Sequence, residues 1–198
     1  METAVGRKRK RKIPDYLIYD EIDGKPYYRK GYKSVLNKTQ TLESIRGCSS
    51  LQALLIAYFT ENFYASHYKE SFYFFTGEPG LHLGLGNNLA GDICLYEKSK
   101  LPPASFNTKY LELPPIIQIE IDVSIDLLDS SETAYISKKV NKLLDHGVSK
   151  VIWVFTAAQR VLVATPDRSW EWMNWNSDVE LLEGLTVNIG RFMASLND

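Results

Sequence analysis

Apolar and polar positions alternate with two different periods along the chain, and the switches between them predict the order of elements. Residues 51–67 place Leu51, Leu54, Leu55, Tyr58, Phe59 and Phe63 at helical spacing, with Ser49 and Ser50 available as N-caps. Three short β-prone runs follow, SFYFFTG, PGLHLGL and GDICLYE, separated by Gly, Pro and Asn, with Gly86-Asn87-Asn88 read as a turn. After a Pro-containing loop, IIQIEIDVSI reads as a buried central strand. Residues 132–146 return to helical spacing through Ile136, Val140, Leu143 and Leu144, and Gly147 closes that helix. KVIWVFT follows at once, and RVLVATP folds back on it as a hairpin. WEWMNW and VELLEGLTVNI are two further β-like pieces, and the last residues suit a short helix. Before all of these, Asp23-Gly24 predicts a hairpin turn between LIYDEI and PYYRKGY. A helix that joins two strands as a crossover requires a parallel pair, so the pattern predicts an α/β domain with a mixed sheet.

Composition adds limits. A length of 198 residues, 44% hydrophobic and 24% charged, suits one globular domain over 13–198 behind a basic tail over 1–12. The net charge of -1 gives no overall positive field toward nucleic acid. The charge is uneven, however, because Arg7 to Lys12 form an unbroken basic run. That run reads as a solvated tail, with a phosphate grip, a nuclear address or an anionic membrane contact as alternatives. Cys48 and Cys94 have no metal-ligand spacing and read as reduced, buried thiols of a cytoplasmic protein. No signal peptide and no membrane span of about 18 apolar residues is expected.

The candidate chemistry comes from acids that interrupt apolar strands. Glu120 and Asp122 are two apart in IIQIEIDVSI, which puts them on one face if the strand runs through both. Two carboxylates on a buried face repel one another and resist desolvation, and a divalent cation relieves both costs. A polar-faced edge strand is the alternative. Asp92, which opens ICLYE, reads alone as a turn residue; with the other two it offers a third oxygen ligand. Such hard oxygen donors suit Mg²⁺ or Mn²⁺. His67, His82 and His146 show no ligand spacing, and the glycines around His82 lack the ending of a phosphate loop.

An Asp on one strand and an E-x-[DEK] pair on the next, between helices, resembles the PD-(D/E)XK nuclease superfamily. The run of Asp23-Gly24, SSLQALL, GDICLYE, IEID and KKVNKLLDHGVSKVIWVF is similar, more specifically, to the Uma-two family of candidate restriction endonucleases. The resemblance implies a restriction-endonuclease-like core, a mixed central sheet flanked by helices, with β decoration at both ends. It implies catalytic roles for Asp92, Glu120, Asp122 and Lys139, with the three acids as ligands of Mg²⁺ or Mn²⁺. It also implies hydrolysis of phosphodiester bonds, in DNA. This chain has Gly91-Asp92 where the pattern has Pro-Asp, and Asp122 where a Lys is usual. Lys139, eight residues before Gly147-Val148, matches the Lys that the Uma-like pattern carries on the following helix, with its neighbour Lys138 as the lesser candidate. Gln52, where the family often has His, reads as an exposed helical residue, and Glu78 as a turn-flanking one. Arg29, Lys30 and Lys33 are candidate nucleic-acid contacts or solvated charges. Two other functions stay open. One is a catalytically degenerate nucleic-acid-binding module on the same fold. The other is an interaction domain, such as a homodimer joined through Trp170, Trp172 and Trp175.

Overall fold

The structure, a computed structural model, describes residues 13–126 and 131–197. The basic run from Arg7 to Lys12 lies outside the described residues. The chain opens with a hairpin of β1 (Ile18–Ile22) and β2 (Lys25–Tyr28). Asp23 and Gly24 both adopt positive φ there, 51° and 71°, the backbone a two-residue turn requires. A short helix α1 (Tyr32–Leu36), which the hydrophobic pattern did not predict, precedes α2 (Ser50–Ala65). The α2 cap is the expected one: Ser49 Oγ accepts a hydrogen bond from Gln52 N at 3.1 Å.

Strands β3 (Phe72–Thr76), β4 (Gly80–His82), β5 (Asn88–Ala90), β6 (Ile93–Glu97) and β7 (Ile117–Ile121) follow. Strand β5 begins at Asn88, where the sequence reads as a turn. Its pairing with β1 and β4 builds a four-stranded sheet in the order β2-β1-β5-β4. Helix α3 (Glu132–Asp145), capped by Ser131, then crosses over to β8 (Lys150–Phe155). Strands β9 (Arg160–Thr165) and β10 (Arg168–Asn174) complete a six-stranded sheet in the order β10-β9-β8-β7-β6-β3. The pair β7 and β8, joined by α3, is parallel, and its neighbours pair antiparallel. VELLEGLTVNI divides into β11 (Val179–Leu182) and β12 (Leu185–Val187), turning at Gly184, and α4 (Ile189–Ser195) ends the described chain.

Strand β7 is buried throughout, and its two faces meet different surroundings. Ile117, Ile119 and Ile121 join Leu55, Phe59 and Phe63 of α2 in one apolar cluster, with Trp175. Full burial of each such side chain contributes about 1.5–3 kcal/mol. The opposite face carries Gln118 and Glu120. On that side α3 packs Tyr135, Ile136, Val140 and Leu143 against Val151 and Trp153 of β8. Trp175 is core, Trp170 is partly buried against this second cluster, and Trp172 is 55% exposed and stacked on Phe155. Cys94 is buried, but Cys48 is exposed, contrary to expectation, because it sits in the loop ahead of α2.

Candidate functional site

Four charged side chains converge beside β7, all less than 5% exposed: Asp20 from β1, Asp92 just before β6, Glu120 from β7 and Lys139 from α3. Each is held by specific partners. Asp92 Oδ1 accepts from Gln52 Nε2 at 2.8 Å, and its Oδ2 accepts from Ile121 N at 2.7 Å. Glu120 Oε1 accepts from Gln118 Nε2 at 2.6 Å and lies 3.0 Å from Lys139 Nζ. Lys139 Nζ also donates to Ala90 O at 2.7 Å and lies 3.0 Å from Asp20 Oδ2. The three ammonium hydrogens thus have three oxygen partners. Asp20 accepts from Ala90 N at 2.8 Å and from the Tyr135 hydroxyl at 2.5 Å. Rings of Tyr19, Trp153 and Tyr135 surround the ammonium, with centroids 5.4, 5.7 and 6.0 Å away.

Gly91 has a local reason. A Cβ at that position would lie 2.9 Å from Gln118 Cδ and Nε2, so the amide that contacts Glu120 occupies the space a larger residue would need. Gln118 Oε1 is itself buried without a hydrogen-bond partner. An unpaired buried oxygen next to a buried carboxylate is costly, and a cation is one way to satisfy it.

The electrostatics point the same way. Burial raises the Asp92 carboxyl from its ordinary value of 3.8 to about 6, against the hydrogen bond from Ile121 and the charge of Lys139. Burial also raises Glu120 from 4.5 to about 8, opposed by Lys139 and reinforced by the charges of Asp92 and Asp20. For Lys139 burial pulls downward, but Asp20 and Glu120 outweigh it and hold the ammonium above its ordinary range. Among the described residues no group of three or more His, Cys, Asp or Glu is placed to hold a metal ion. Mg²⁺ is commonly held by one or two carboxylates with waters, so Asp92 and Glu120 are donors of the kind it takes.

Asp122 departs from the expected arrangement. Strand β7 ends at Ile121, and Asp122 turns out of it with φ 59°. The i, i+2 alternation therefore stops before it. Its carboxylate accepts from Thr156 N at 2.8 Å and Thr156 Oγ1 at 2.7 Å, and its carbonyl accepts from Trp153 Nε1. It does not share the face of Glu120. Lys138 is also elsewhere, paired with Asp23 at 3.1 Å. Gln52, read from sequence as exposed, is buried against Asp92.

Next to the buried cluster lies a cleft of about 210 Å³, lined by Arg29, Lys30, Arg46, Gln52, Glu78 and Asp122 among others. Glu78 sits in the β3–β4 turn with φ 59° and binds Arg29 through two hydrogen bonds of 3.1 and 2.8 Å. Lys33 is exposed on α1 and does not line the cleft.

Asp20 was not singled out from the sequence. The signal was present: it stands between Ile18 and Ile22 at two-residue spacing, the same interruption of an apolar face that marks Glu120.

No family model and no curated protein matches the chain. Its architecture is similar to that of a solved structure, a candidate nuclease belonging to DUF820 from Anabaena variabilis. The two share 16% sequence identity with a TM-score of 0.62 over 89% of this chain and 90% of that chain. The fold is restriction-endonuclease-like, a mixed central sheet with flanking helices.

Proposed function

We propose that the chain is a metal-dependent endonuclease of the Uma-two type that hydrolyses phosphodiester bonds in DNA. The observation that carries this reading is the buried cluster of Asp92, Glu120 and Lys139 beside a cleft lined by Arg29, Lys30 and Arg46. The DUF820 protein of similar architecture is likewise a candidate nuclease.

Asp92 and Glu120 would hold Mg²⁺ or Mn²⁺. Bound there, the ion supplies a Lewis acid for the phosphate and eases ionisation of a water. The protein's own groups do the rest. Ile121 N and Gln52 fix the Asp92 carboxylate. Lys139 stays protonated and fixes Glu120 Oε1, and Asp20 with Ala90 O fixes Lys139 in turn. Asp122 orients the start of the cleft through Thr156 rather than joining the metal-holding pair. Arg29 and Lys30 contact the backbone phosphates, which carry no sequence information.

The test is cleavage of plasmid DNA with Mg²⁺ or Mn²⁺. Wild type should nick or linearise it, and Asp92→Ala and Glu120→Ala should not; equal activity in all three overturns the reading. One observation favours a second reading, a nucleic-acid-binding module without catalysis. Lys139 spends its three hydrogens on protein oxygens and has none for a water or phosphate. Binding of DNA without cleavage under any divalent metal would select it.

A further inference from the structure

The Arg29–Glu78 pair has features that an ordinary surface ion pair lacks. Both partners line the cleft beside the buried acids. Glu78 occupies both terminal nitrogens of the guanidinium, at 3.1 and 2.8 Å, in the two-pronged geometry with which arginine also binds phosphate. The two side chains are unequally exposed, 15% for Arg29 and 37% for Glu78. Arg29 is fixed from below, because its guanidinium lies 5.0 Å from the Tyr19 ring, and that ring lies 5.4 Å from Lys139 Nζ. Its Nε is buried with no hydrogen-bond partner. Glu78 is the more loosely placed partner. It sits in a turn at positive φ, next to Gly77 with φ 84°, and a side chain added at Gly77 would meet nothing within 4 Å.

We propose that Glu78 holds the place of a nucleic-acid phosphate on Arg29, and that a backbone phosphate displaces it when substrate enters the cleft. This rests on the nuclease reading and deepens it, because it assigns Arg29 as a phosphate subsite beside the buried acids and Glu78 as its built-in competitor. The exchange is physically balanced. Glu78 is the more water-exposed partner of the pair, and a backbone phosphodiester offers the guanidinium the same single negative charge and two anionic oxygens as the carboxylate it replaces, so the exchange keeps Arg29 paired. Among the described residues that line the cleft with Arg29, Lys30 and Arg46, Asp122 is the one acid besides Glu78, and its carboxylate is already bound to Thr156.

The test is fluorescence anisotropy with a fluorescein-labelled DNA duplex in EDTA, across a series of salt concentrations, on the full chain. Glu78→Gln should bind several-fold more tightly than wild type. Arg29→Gln should bind several-fold more weakly, with a salt slope shallower by about one, the loss of one phosphate contact. In the Arg29→Gln background Glu78→Gln should have little further effect. Opposite signs for the two single variants, with the Glu78→Gln gain lost when Arg29 is absent, are the signature: a structural pair would move both variants the same way, and a general change of charge would give the same gain with or without Arg29. Two weakened variants, two unchanged ones, or equal gains from Glu78→Gln with and without Arg29 would overturn the exchange while leaving the nuclease reading intact. Absence of DNA binding by the wild type would overturn both. Thermal unfolding of each variant identifies any that fail to fold; Glu78→Asp, which keeps the charge, then takes the place of Glu78→Gln and should bind as wild type.

Discussion

The two faces of β7 are equally dry and solve the problem of burial in opposite ways. On one face Ile117, Ile119 and Ile121 pack against Leu55, Phe59 and Phe63, and any apolar residues of similar shape would serve. On the other, Gln118 and Glu120 form part of a chain of hydrogen bonds through Lys139, Asp20, Ala90 and Tyr135. The first face is tolerant and stabilising. The second is specific, and each member leaves a buried charge behind if it is lost. A fold that needed only stability could have repeated the first solution, so the second marks where the sequence carries something besides a core.

The largest effect that could break this contrast is removal of the central cation. Lys139→Met keeps most of the volume but strands Asp20 and Glu120, and it should lower unfolding free energy by about 4 kcal/mol in urea titration. A loss below 1 kcal/mol would show that the polar face does not depend on its charges. On the apolar face Ile119→Ala should cost about 3 kcal/mol by the same measurement, through lost contact and a cavity. That variant should leave the pH dependence of stability unchanged.

The pH dependence is a finer probe of the polar face. Asp92 and Glu120 hold protons more tightly in the folded chain than in the unfolded one. Their contribution is therefore full below about pH 4, and is lost as pH rises through about 6 for Asp92 and about 8 for Glu120. Metal-free protein should lose stability steadily from pH 5 to 8.5, and Glu120→Gln should flatten the upper part of that curve. Mg²⁺ should raise the melting temperature more at pH 8.5 than at pH 5.5, because only the ionised pair attracts it. The smallest effect belongs to the Arg29–Glu78 pair, whose acid is 37% exposed: Glu78→Gln keeps the shape of the side chain and one acceptor oxygen, and should change stability by less than about 1 kcal/mol, whatever it does to DNA binding.

Much of the apolar face was legible from the sequence, and the polar face only in part. Leu55, Phe59 and Phe63 announce α2 by spacing, Ser49 announces its start, and the α3 crossover announces the parallel β7–β8 pair. Glu120 was visible because it interrupts isoleucines. Asp92 stood out only beside Glu120 and Asp122, since an acid after glycine reads alone as a turn residue, and Lys139 was placed by resemblance, since a helical lysine does not reveal burial. Asp20 shares the signature of Glu120 but stands in a Tyr-rich hairpin whose burial depends on β5 and α3, elements distant in sequence. Asp122 misled because alternation carries no information on where a strand ends. A single left-handed residue ended it and sent the side chain to Thr156. Gln52 lies on a helix with no strong polar stripe, and only the position of Asp92 shows that it faces inward.

The hydrogen bond from Tyr135 to Asp20 closes a loop of 115 residues, and the one from Lys139 to Ala90 closes a loop of 49. Contacts this distant along the chain form late, because the entropy of closing them is compensated only once the intervening strands are in place. The ammonium reaches its oxygens only after both sheets have assembled, so a partly folded chain has no organised acidic site. Neither sheet alone can organise the polar pocket, and Asp20 ties any chemistry there to the assembly of both.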